Sequence, residues 1–206
     1  MFLFNYSTLI DPLLHDVRIY TSRFSGMKNG DKVLDICCGT GDQAFHYAKM
    51  GIEATGVDLN PEMIKVAERR KEKCSFNNIS FQLADAKELP FEDASFDYAS
   101  ISFGLHETGR DSREKIISEM RRVVRKEGFL IFIDFRVPLP KNIYSYIVRA
   151  IEYFAGRDHY KYFKDYLLQG GLPILLRKNK LKEGKRGYIQ ESILKDIVTI
   201  IKAKNI

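Results

Sequence analysis

Short apolar runs alternate with helix-like stretches through the first two thirds of the chain. The runs have the length and the β-branched or aromatic content of buried strands, and they lie near residues 33–37, 53–58, 79–84, 97–103 and 129–135. Helical patterns occupy residues 42–50, 61–73 and 111–126, the second with Asn60 and Pro61 as its expected cap and first residue. Strands and helices that alternate at this spacing predict right-handed βαβ units and a parallel sheet.

The first apolar run leads into a glycine loop, "VLDICCGTGDQA", which spans residues 33–44. Gly39, Gly41 and Ala44 fit the pattern G-x-G-x-x-A between a predicted strand and a predicted helix. The glycines permit a tight turn and a close approach of a ligand, and the helix N-terminus supplies free N–H donors. Asp58 ends the second predicted strand, where a carboxylate can accept the hydroxyls of an adenosine ribose. These features predict an adenosine-containing ligand; a turn without a ligand, with Asp58 as a helix cap, is the alternative.

Asp35, inside the same run, separates two classes of such ligand. A dinucleotide places its pyrophosphate over the glycine loop, where a carboxylate would repel it. S-adenosylmethionine carries no phosphate, and its ammonium and sulfonium groups are cations. Asp35 therefore favours the methyl donor over NAD, although a carboxylate that accepts backbone N–H groups fits the same position.

The cysteines do not suggest a different chemistry. Cys37, Cys38 and Cys74 give no C-x-x-C spacing and no paired framework, and neighbouring side chains on a strand point to opposite faces. We therefore expect no disulfide and no metal site at these residues, and reduced thiols fit a cytoplasmic protein. Asn5 and Asp11 interrupt the apolar N-terminal segment, so no secretory signal is expected either.

Four segments resemble one family in order and spacing. They are "VLDICCGTGD", "GVDLNPEMIKVAERR", "ADAKELPFEDASFDYASISFGL" and "EMRRVVRKEGFLIFIDF". Together they resemble the class I S-adenosylmethionine-dependent methyltransferases and, within these, the ubiquinone/menaquinone biosynthesis C-methyltransferases. The resemblance covers about residues 30–136. It implies an α/β fold with a Rossmann-like, seven-stranded, mostly parallel sheet, helices on both faces, and an antiparallel last strand near 196–203.

The resemblance also implies one methyltransferase domain over residues 1–206. Residues 1–30 would form an N-terminal helical lid, residues 31–136 the cofactor-binding core, and residues 137–206 the substrate-side helices and C-terminal strands.

A set of contacts to S-adenosyl-L-methionine follows from the same resemblance. The glycine loop would line the methionine end, Asp58 would bind the ribose, Asp85 and Ala86 would meet the adenine edge, and Ser102 would face the methyl group. The full set of implied cofactor-binding residues is Asp35, Gly39, Thr40, Gly41, Asp58, Leu59, Asp85, Ala86 and Ser102.

The sequence departs from the family directly after "ISFGL". Family members usually continue with Arg-Asn, whereas this chain has His106 and Glu107. His106 is the candidate catalytic residue, as a base for an acceptor that must lose a proton; a structural histidine is the alternative. Four further residues are candidates for the donor or acceptor pocket, with an ordinary core or surface position as the alternative: Tyr6, Tyr20, His159 and Tyr160.

The C-terminal third is basic and rich in tyrosine. Residues 136–190 carry twelve basic and four acidic side chains and seven of the eleven tyrosines. Amphipathic aromatic residues with basic neighbours fit an aromatic or lipid-like acceptor drawn from an anionic membrane surface. We therefore expect a methyltransferase that acts on a small hydrophobic acceptor of the phenol or quinol type. Peripheral membrane contact is one interpretation of this segment, and a helix with an apolar core face and a solvated basic face is the alternative.

Three other functions stay open. A nucleic-acid methyltransferase would explain the basic segment, but no Asn/Asp-Pro-Pro-aromatic motif follows the fourth predicted strand. An NAD-dependent oxidoreductase shares the glycine loop, but Asp35 counts against it. A donor-binding protein without catalysis is the third.

Overall fold

The computed structural model describes residues 6–188 and 196–206 of the chain. Its strands are β1 (Lys32–Ile36), β2 (Glu53–Asp58), β3 (Ile79–Leu83), β4 (Phe96–Ser102), β5 (Val124–Phe135), β6 (Glu183–Tyr188) and β7 (Val198–Lys204). Its helices are α1 (Tyr6–Ser25), α2 (Asp42–Ala48), α3 (Pro61–Glu72), α4 (Arg110–Val123), α5 (Ile143–Ala155), α6 (Arg157–Leu168) and α7 (Gly171–Lys178). The strands form one sheet in the order β3-β2-β1-β4-β5-β7-β6.

The first five strands are parallel, and β7 runs antiparallel to both β5 and β6. This confirms the predicted seven-stranded, mostly parallel sheet with an antiparallel last strand. The central strand β1 buries Val33, Leu34 and Ile36 completely, as expected for a parallel strand that is covered on both faces. The strand order reverses at β1, which has β2 on one side and β4 on the other. In open α/β sheets such a reversal opens a crevice at the carboxyl ends of the two strands.

One predicted helix boundary needs correction, and one strand was missed. The helix predicted over 111–126 is too long, because α4 ends at Val123 and residues 124–126 already belong to β5. Val124 pairs with Phe96 of β4, and sheet pairing of a β-branched residue outweighs its fit to the helical pattern.

Strand β6 was not located in the sequence. Its residues, Glu183–Tyr188, read "EGKRGY" and are charged and rich in glycine. They lie at the edge of the sheet, where charged side chains are common and no apolar alternation is needed.

Helix α5 differs from an ordinary surface helix because large apolar side chains lie on its exposed side and a charged side chain lies on its buried side. Ser145, Val148 and Glu152 are its buried residues. Its exposed side carries large apolar side chains: Ile143, Tyr144, Tyr146, Ile147, Tyr153 and Phe154. Within the described residues, no helix has the length and apolar content needed to cross a membrane.

Candidate functional site

The glycine loop after β1 leaves open space above Gly39. Gly39 and Gly41 have φ angles of 55° and 79°, in the left-handed region that glycine adopts without strain. A Cβ atom on Gly39 would meet no atom within 4 Å. A Cβ atom on Gly41 would lie 2.5 Å from the Phe81 ring, and one on Gly56 would lie 2.7 Å from the same ring. Gly41 and Gly56 therefore pack against Phe81, whereas Gly39 faces a gap that a ligand can enter.

Asp58 joins this loop to helix α3. One carboxylate oxygen accepts the N–H of Gly39 at 2.8 Å, and the other accepts the N–H of Asn60 at 2.8 Å. Asn60 in turn caps α3, because its side-chain oxygen accepts the N–H of Glu62. The helix cap is thus Asn60, as predicted, and Asp58 keeps lone pairs that can accept hydroxyl groups at the end of β2.

Asp35 lies inside β1, one residue before the strand ends, and is 1% exposed. Its Oδ1 atom accepts the Ser100 hydroxyl at 2.8 Å, and its Oδ2 atom has no hydrogen-bond partner among the described residues. Burial raises the pKa of Asp35 to about 7. An unpartnered buried carboxylate oxygen is costly, so the position fits a cationic ligand group.

An ion-pair network that the sequence reasoning missed holds the far side of the loop. Asp42, the first residue of α2, binds Arg18 of α1 at 2.6 Å and also Arg70 of α3. Arg70 donates to the main-chain oxygen of Thr40 at 3.1 Å. Burial opposes ionisation of Asp42, but the two guanidinium groups outweigh it and lower the pKa of this carboxyl. The acidic first residue of a helix beside a glycine loop was the available signal.

The adenine-side candidates lie at the ends of β2 and β3. Asp58 and Leu83 are paired in register at these ends, and Leu59 and Leu83 are both exposed. Asp85 follows β3, and its Oδ1 atom accepts the N–H of Lys87 at 2.9 Å, while Ala86 is buried. The exposed leucines form an apolar surface beside Asp58 that suits a purine ring.

Ser102 ends β4 and is half-buried. The three cysteines are unpaired. Burial raises the pKa of the Cys37 and Cys38 thiols far above their usual value, so both stay protonated near neutral pH. Neutral thiols are poor metal ligands.

On the other side of the crevice, His106 lies in a buried cluster with acidic side chains. Its Nδ1 atom is 2.7 Å from Oδ1 of Asp134, and its Nε2 atom is 3.6 Å from Oε1 of Glu152. His159 lies on α6, and its Nε2 atom is 2.5 Å from Oε2 of Glu152. Glu107 Oε1 is 3.9 Å from each of the two Nε2 atoms. The structure thus brings together His106 and His159, which the sequence proposed separately.

The surroundings of His106 favour a proton on its ring. Burial disfavours the charged imidazole, but Asp134 and Glu152 outweigh burial and raise the pKa of His106 well above its usual value. Burial likewise opposes the charge on Glu152, yet the two imidazoles lower its pKa to about 2. A ring that carries both protons cannot accept one, so the role of His106 as a base stays a prediction that these contacts do not favour.

Sequence reasoning missed Asp134 and Glu152. Each is a single acid in an apolar segment: Asp134 in "GFLIFIDF" and Glu152 in "IYSYIVRAIEYFA". A lone acid on the buried side of an apolar element was the available signal, because burial of an unpaired charge is costly.

Two of the remaining candidates pack against other aromatic rings. Tyr20 stacks on Phe24, with ring centroids 5.9 Å apart. Tyr160 packs on Tyr153 at 5.4 Å. The side chain of Tyr6 lies outside the part of the chain that the structure describes.

Known proteins are similar to this chain over much of its length. The model of the ubiE/COQ5 methyltransferase family matches residues 10–168. A ubiquinone/menaquinone biosynthesis C-methyltransferase UbiE from Citrifermentans bemidjiense is 33% identical over 156 residues, which are 70% of this chain and 66% of that protein. A demethylmenaquinone methyltransferase from Paenarthrobacter aurescens is 38% identical over 135 residues, 64% of this chain and 51% of that protein. The chain spans about half to two thirds of the length of these relatives.

Solved structures share the fold. A SAM-dependent methyltransferase from Aquifex aeolicus superposes with a TM-score of 0.73 at 17% identity, covering 98% of this chain and 97% of that chain. A SAM-dependent methyltransferase from Methanosarcina mazei does so with a TM-score of 0.67 at 24% identity, covering 87% and 94%. At this identity the likeness concerns the sheet and its flanking helices.

Proposed function

The chain belongs to the ubiE/COQ5 methyltransferase family, and from this premise we propose that it transfers a methyl group from S-adenosylmethionine to a small aromatic acceptor of the quinol or phenol type. When bound, S-adenosylmethionine supplies an electrophilic methyl group on a sulfonium. The family's quinone-pathway names belong to proteins longer than this chain. The activity is therefore proposed here on the chain's own residues as well as on its family.

The open space above Gly39, bordered by Asp58, is the observation that carries the proposal. The main chain of Gly39 can be approached closely because no atom lies within 4 Å of the place where a Cβ would stand. Asp58 holds the N–H of Gly39 and would accept the ribose hydroxyls with its remaining lone pairs. Leu59 and Leu83 would contact the adenine ring, with Asp85 and Ala86 at its edge.

The methionine end would lie toward Thr40, Gly41 and the buried Asp35. The Asp35 carboxylate has an oxygen without a partner among the described residues, and a ligand cation would compensate its charge. A dinucleotide would bring a pyrophosphate to the same place and would be repelled. Ser102, at the end of β4, would face the donor near its methyl group.

The exposed side of α5 supports a hydrophobic acceptor taken up at a membrane surface. Ile147, Tyr153 and Phe154 are exposed on the helix whose inner side holds Glu152. Arg149 is an exposed basic side chain on the helix, and the exposed Lys141 and Arg157 flank its two ends. An apolar helix face with basic neighbours binds anionic lipid surfaces, and the same helix would shelter the acceptor.

Calorimetry on the full chain tests the cofactor assignment. S-adenosylmethionine and S-adenosylhomocysteine are expected to bind, and NAD and NADH are not. Asp58→Ala should weaken binding by about 1.5–3 kcal/mol, the range for hydrogen bonds to a charged group. Asp93→Ala removes an exposed carboxylate that pairs with Arg122 and should leave the affinity unchanged.

Methyl-transfer assays against quinols, phenols and RNA then test the acceptor class. We expect product with a hydrophobic quinol or phenol. NAD binding, equal affinity in Asp58→Ala, or methylation of RNA alone would overturn the corresponding part of the proposal.

A further inference from the structure

The cluster around Glu152 has the composition and spacing of a metal site. The ligand atoms of His106, Glu152 and His159 all lie within 4.8 Å of one another. Among the described residues, this is the one group of three such side chains that meets that spacing. Glu107, at 3.9 Å from both imidazole Nε2 atoms, adds a second carboxylate at its open side.

We propose that His106, His159 and Glu152 bind one divalent transition-metal ion of the Zn²⁺ type, with its fourth position on the side of Glu107. Zinc bonds of 2.0–2.2 Å place the ligand atoms of a tetrahedral site about 3.4 Å apart. The separation of 3.6 Å between Nε2 of His106 and Oε1 of Glu152 is close to this value. All three ligand atoms lie within 4.8 Å of one another, so no pair has to approach by more than about 1.4 Å. The 2.5 Å contact between His159 and Glu152 would lengthen as the ion takes the place of the shared proton.

Asp134 holds the His106 ring on the side away from the proposed ion. The carboxylate of Asp134 accepts a hydrogen bond from Nδ1 of His106 at 2.7 Å and also accepts the His106 main-chain N–H at 3.2 Å. With Nδ1 as the donor, Nε2 is the atom that faces Glu152. A bound ion would take the place of the proton on Nε2 and use the lone pair that this proton leaves. A carboxylate behind a ligating histidine is the usual partner that fixes the orientation of a metal-bound imidazole.

Aromatic side chains shield one side of the cluster from water. The His106 ring packs on Phe135 and Phe163, with centroids 4.7 Å and 6.0 Å away. Apolar walls exclude water and strengthen the attraction between an ion and its ligands. Glu107, with its side chain 45% exposed, lies on the side that is open to solvent, so an ion can enter there.

The ligand types select the class of ion. Imidazole nitrogen favours zinc and the other first-row transition metals, whereas Mg²⁺ and Ca²⁺ favour an all-oxygen shell. An ion would occupy the lone pair on Nε2 of His106 that a catalytic base would need. The metal site and the base role therefore exclude each other at any one moment. The proposal goes beyond the methyl-transfer function, and ion binding is measured without donor or acceptor.

The test uses the full chain after removal of metals with a chelator. We expect one equivalent of Zn²⁺ to bind in calorimetry and to raise the unfolding temperature, with no response to Mg²⁺ or Ca²⁺. Co²⁺ should bind at the same stoichiometry and give visible absorption bands of a four-coordinate site with nitrogen and oxygen ligands. A strong thiolate-to-cobalt band in the near ultraviolet would place the ion at a cysteine and overturn the proposal.

Variants locate the ion. His159→Ala and Glu152→Gln should each weaken Zn²⁺ binding at least about tenfold, and Asp134→Asn about 10–100-fold, the range for partners behind a ligand. The other two histidines, His15 and His46, lie together with ring centroids 5.4 Å apart and form the matched control. His15→Ala/His46→Ala should keep the affinity of the parent chain. No Zn²⁺ binding by the parent chain, or affinity lost only in this control, would show that the cluster is a hydrogen-bonded network without an ion.

Discussion

His106 and Asp134 form a buried pair in which one carboxylate holds both the side chain and the main chain of the histidine. The Nδ1 contact is 2.7 Å, the main-chain N–H contact is 3.2 Å, and both side chains are at most 2% exposed. Asp134 lies on β5 and His106 follows β4, so the pair also ties the loop after β4 to the neighbouring strand.

A double-mutant cycle on this pair is the first prediction. Removal of one partner of a buried ion pair typically costs about 3–5 kcal/mol, because the other charge is left uncompensated. Asp134→Asn and His106→Gln should each destabilise the metal-free protein, and the double variant should lose less than the sum of the two. Urea unfolding measures all four proteins. The exposed pair of Lys204 and Glu127, expected to contribute about 0–1 kcal/mol, is the control cycle.

The second prediction contrasts two glycines of one loop. Gly39→Ala places a methyl group in open space and should cost about 1–2 kcal/mol of stability through its left-handed backbone. It should also abolish or strongly weaken S-adenosylmethionine binding, because the methyl group fills the gap. Gly41→Ala meets the Phe81 ring at 2.5 Å and should cost a further ~1–3 kcal/mol through overpacking. Equal stability of the two variants in urea unfolding would contradict this account.

The third prediction concerns stability as a function of pH. The pKa of Asp35 is about 7 in the folded chain and 3.8 in the reference state. The folded state therefore binds more protons between these values, and the Asp35 contribution to stability falls as pH rises from about 4 to 7. The loss amounts to roughly 4 kcal/mol. In Asp35→Asn this contribution is absent, so the variant should gain stability relative to the parent chain at pH 8 compared with pH 5. A difference that does not change with pH would refute the assignment.

The fourth prediction follows the same carboxyl group into binding. If the cation of S-adenosylmethionine pairs with ionised Asp35, binding must release the proton that the free protein holds below pH 7. Affinity should then rise by up to about tenfold per pH unit below the pKa and level off above it. Calorimetry in buffers of different ionisation enthalpy counts the released proton. Asp35→Asn should bind with an affinity that is nearly independent of pH over this range.

The fifth prediction separates lipid binding from folding. Ile147 and Phe154 are exposed on α5, so replacement of either by serine should change stability by less than about 0.5 kcal/mol. Each replacement should weaken the binding of anionic vesicles in flotation, since each loses about 1.5–3 kcal/mol of apolar burial. Leu168, which is 83% exposed on α6 and lies outside this face, gives the control Leu168→Ser. Flotation of the variants equal to that of the parent chain would exclude the α5 face as the contact.

The parallel half of the fold could be predicted because its strands are buried on both faces. Each of the five apolar runs became a strand within a few residues of its predicted position. Strand β6 could not be found this way, because an edge strand such as "EGKRGY" owes its conformation to pairing with β7. The predicted end of α4 was also wrong. Val124 fits the helical pattern of the preceding residues, but it pairs with Phe96 of β4 in the sheet.

The candidate site divides in the same manner. Gly39, Gly41 and Asp58 belong to one strand–loop–helix–strand unit, β1–α2–β2, so the meeting of the glycine loop with Asp58 could be predicted. Asp134, Glu152 and His159 come from three different elements, and their meeting depends on how α5 and α6 pack at the sheet edge. Local periodicity carries no information about which polar side chain of one helix will face a given residue of another.

The contact of Phe81 with Gly41 and Gly56 limits the order in which substitutions at these positions can be tolerated. Cβ atoms on Gly41 and on Gly56 would both collide with the one ring. Gly56 has no left-handed φ angle, so alanine is disfavoured there by crowding alone, with the Phe81 ring at 2.7 Å and Cys38 Sγ at 3.0 Å from the added Cβ. A smaller residue at position 81 would have to come first, and that change alone would leave a cavity and destabilise the chain. The path from glycine to alanine at position 56 therefore passes through a less stable intermediate sequence, which couples substitutions at Gly56 to substitutions at Phe81.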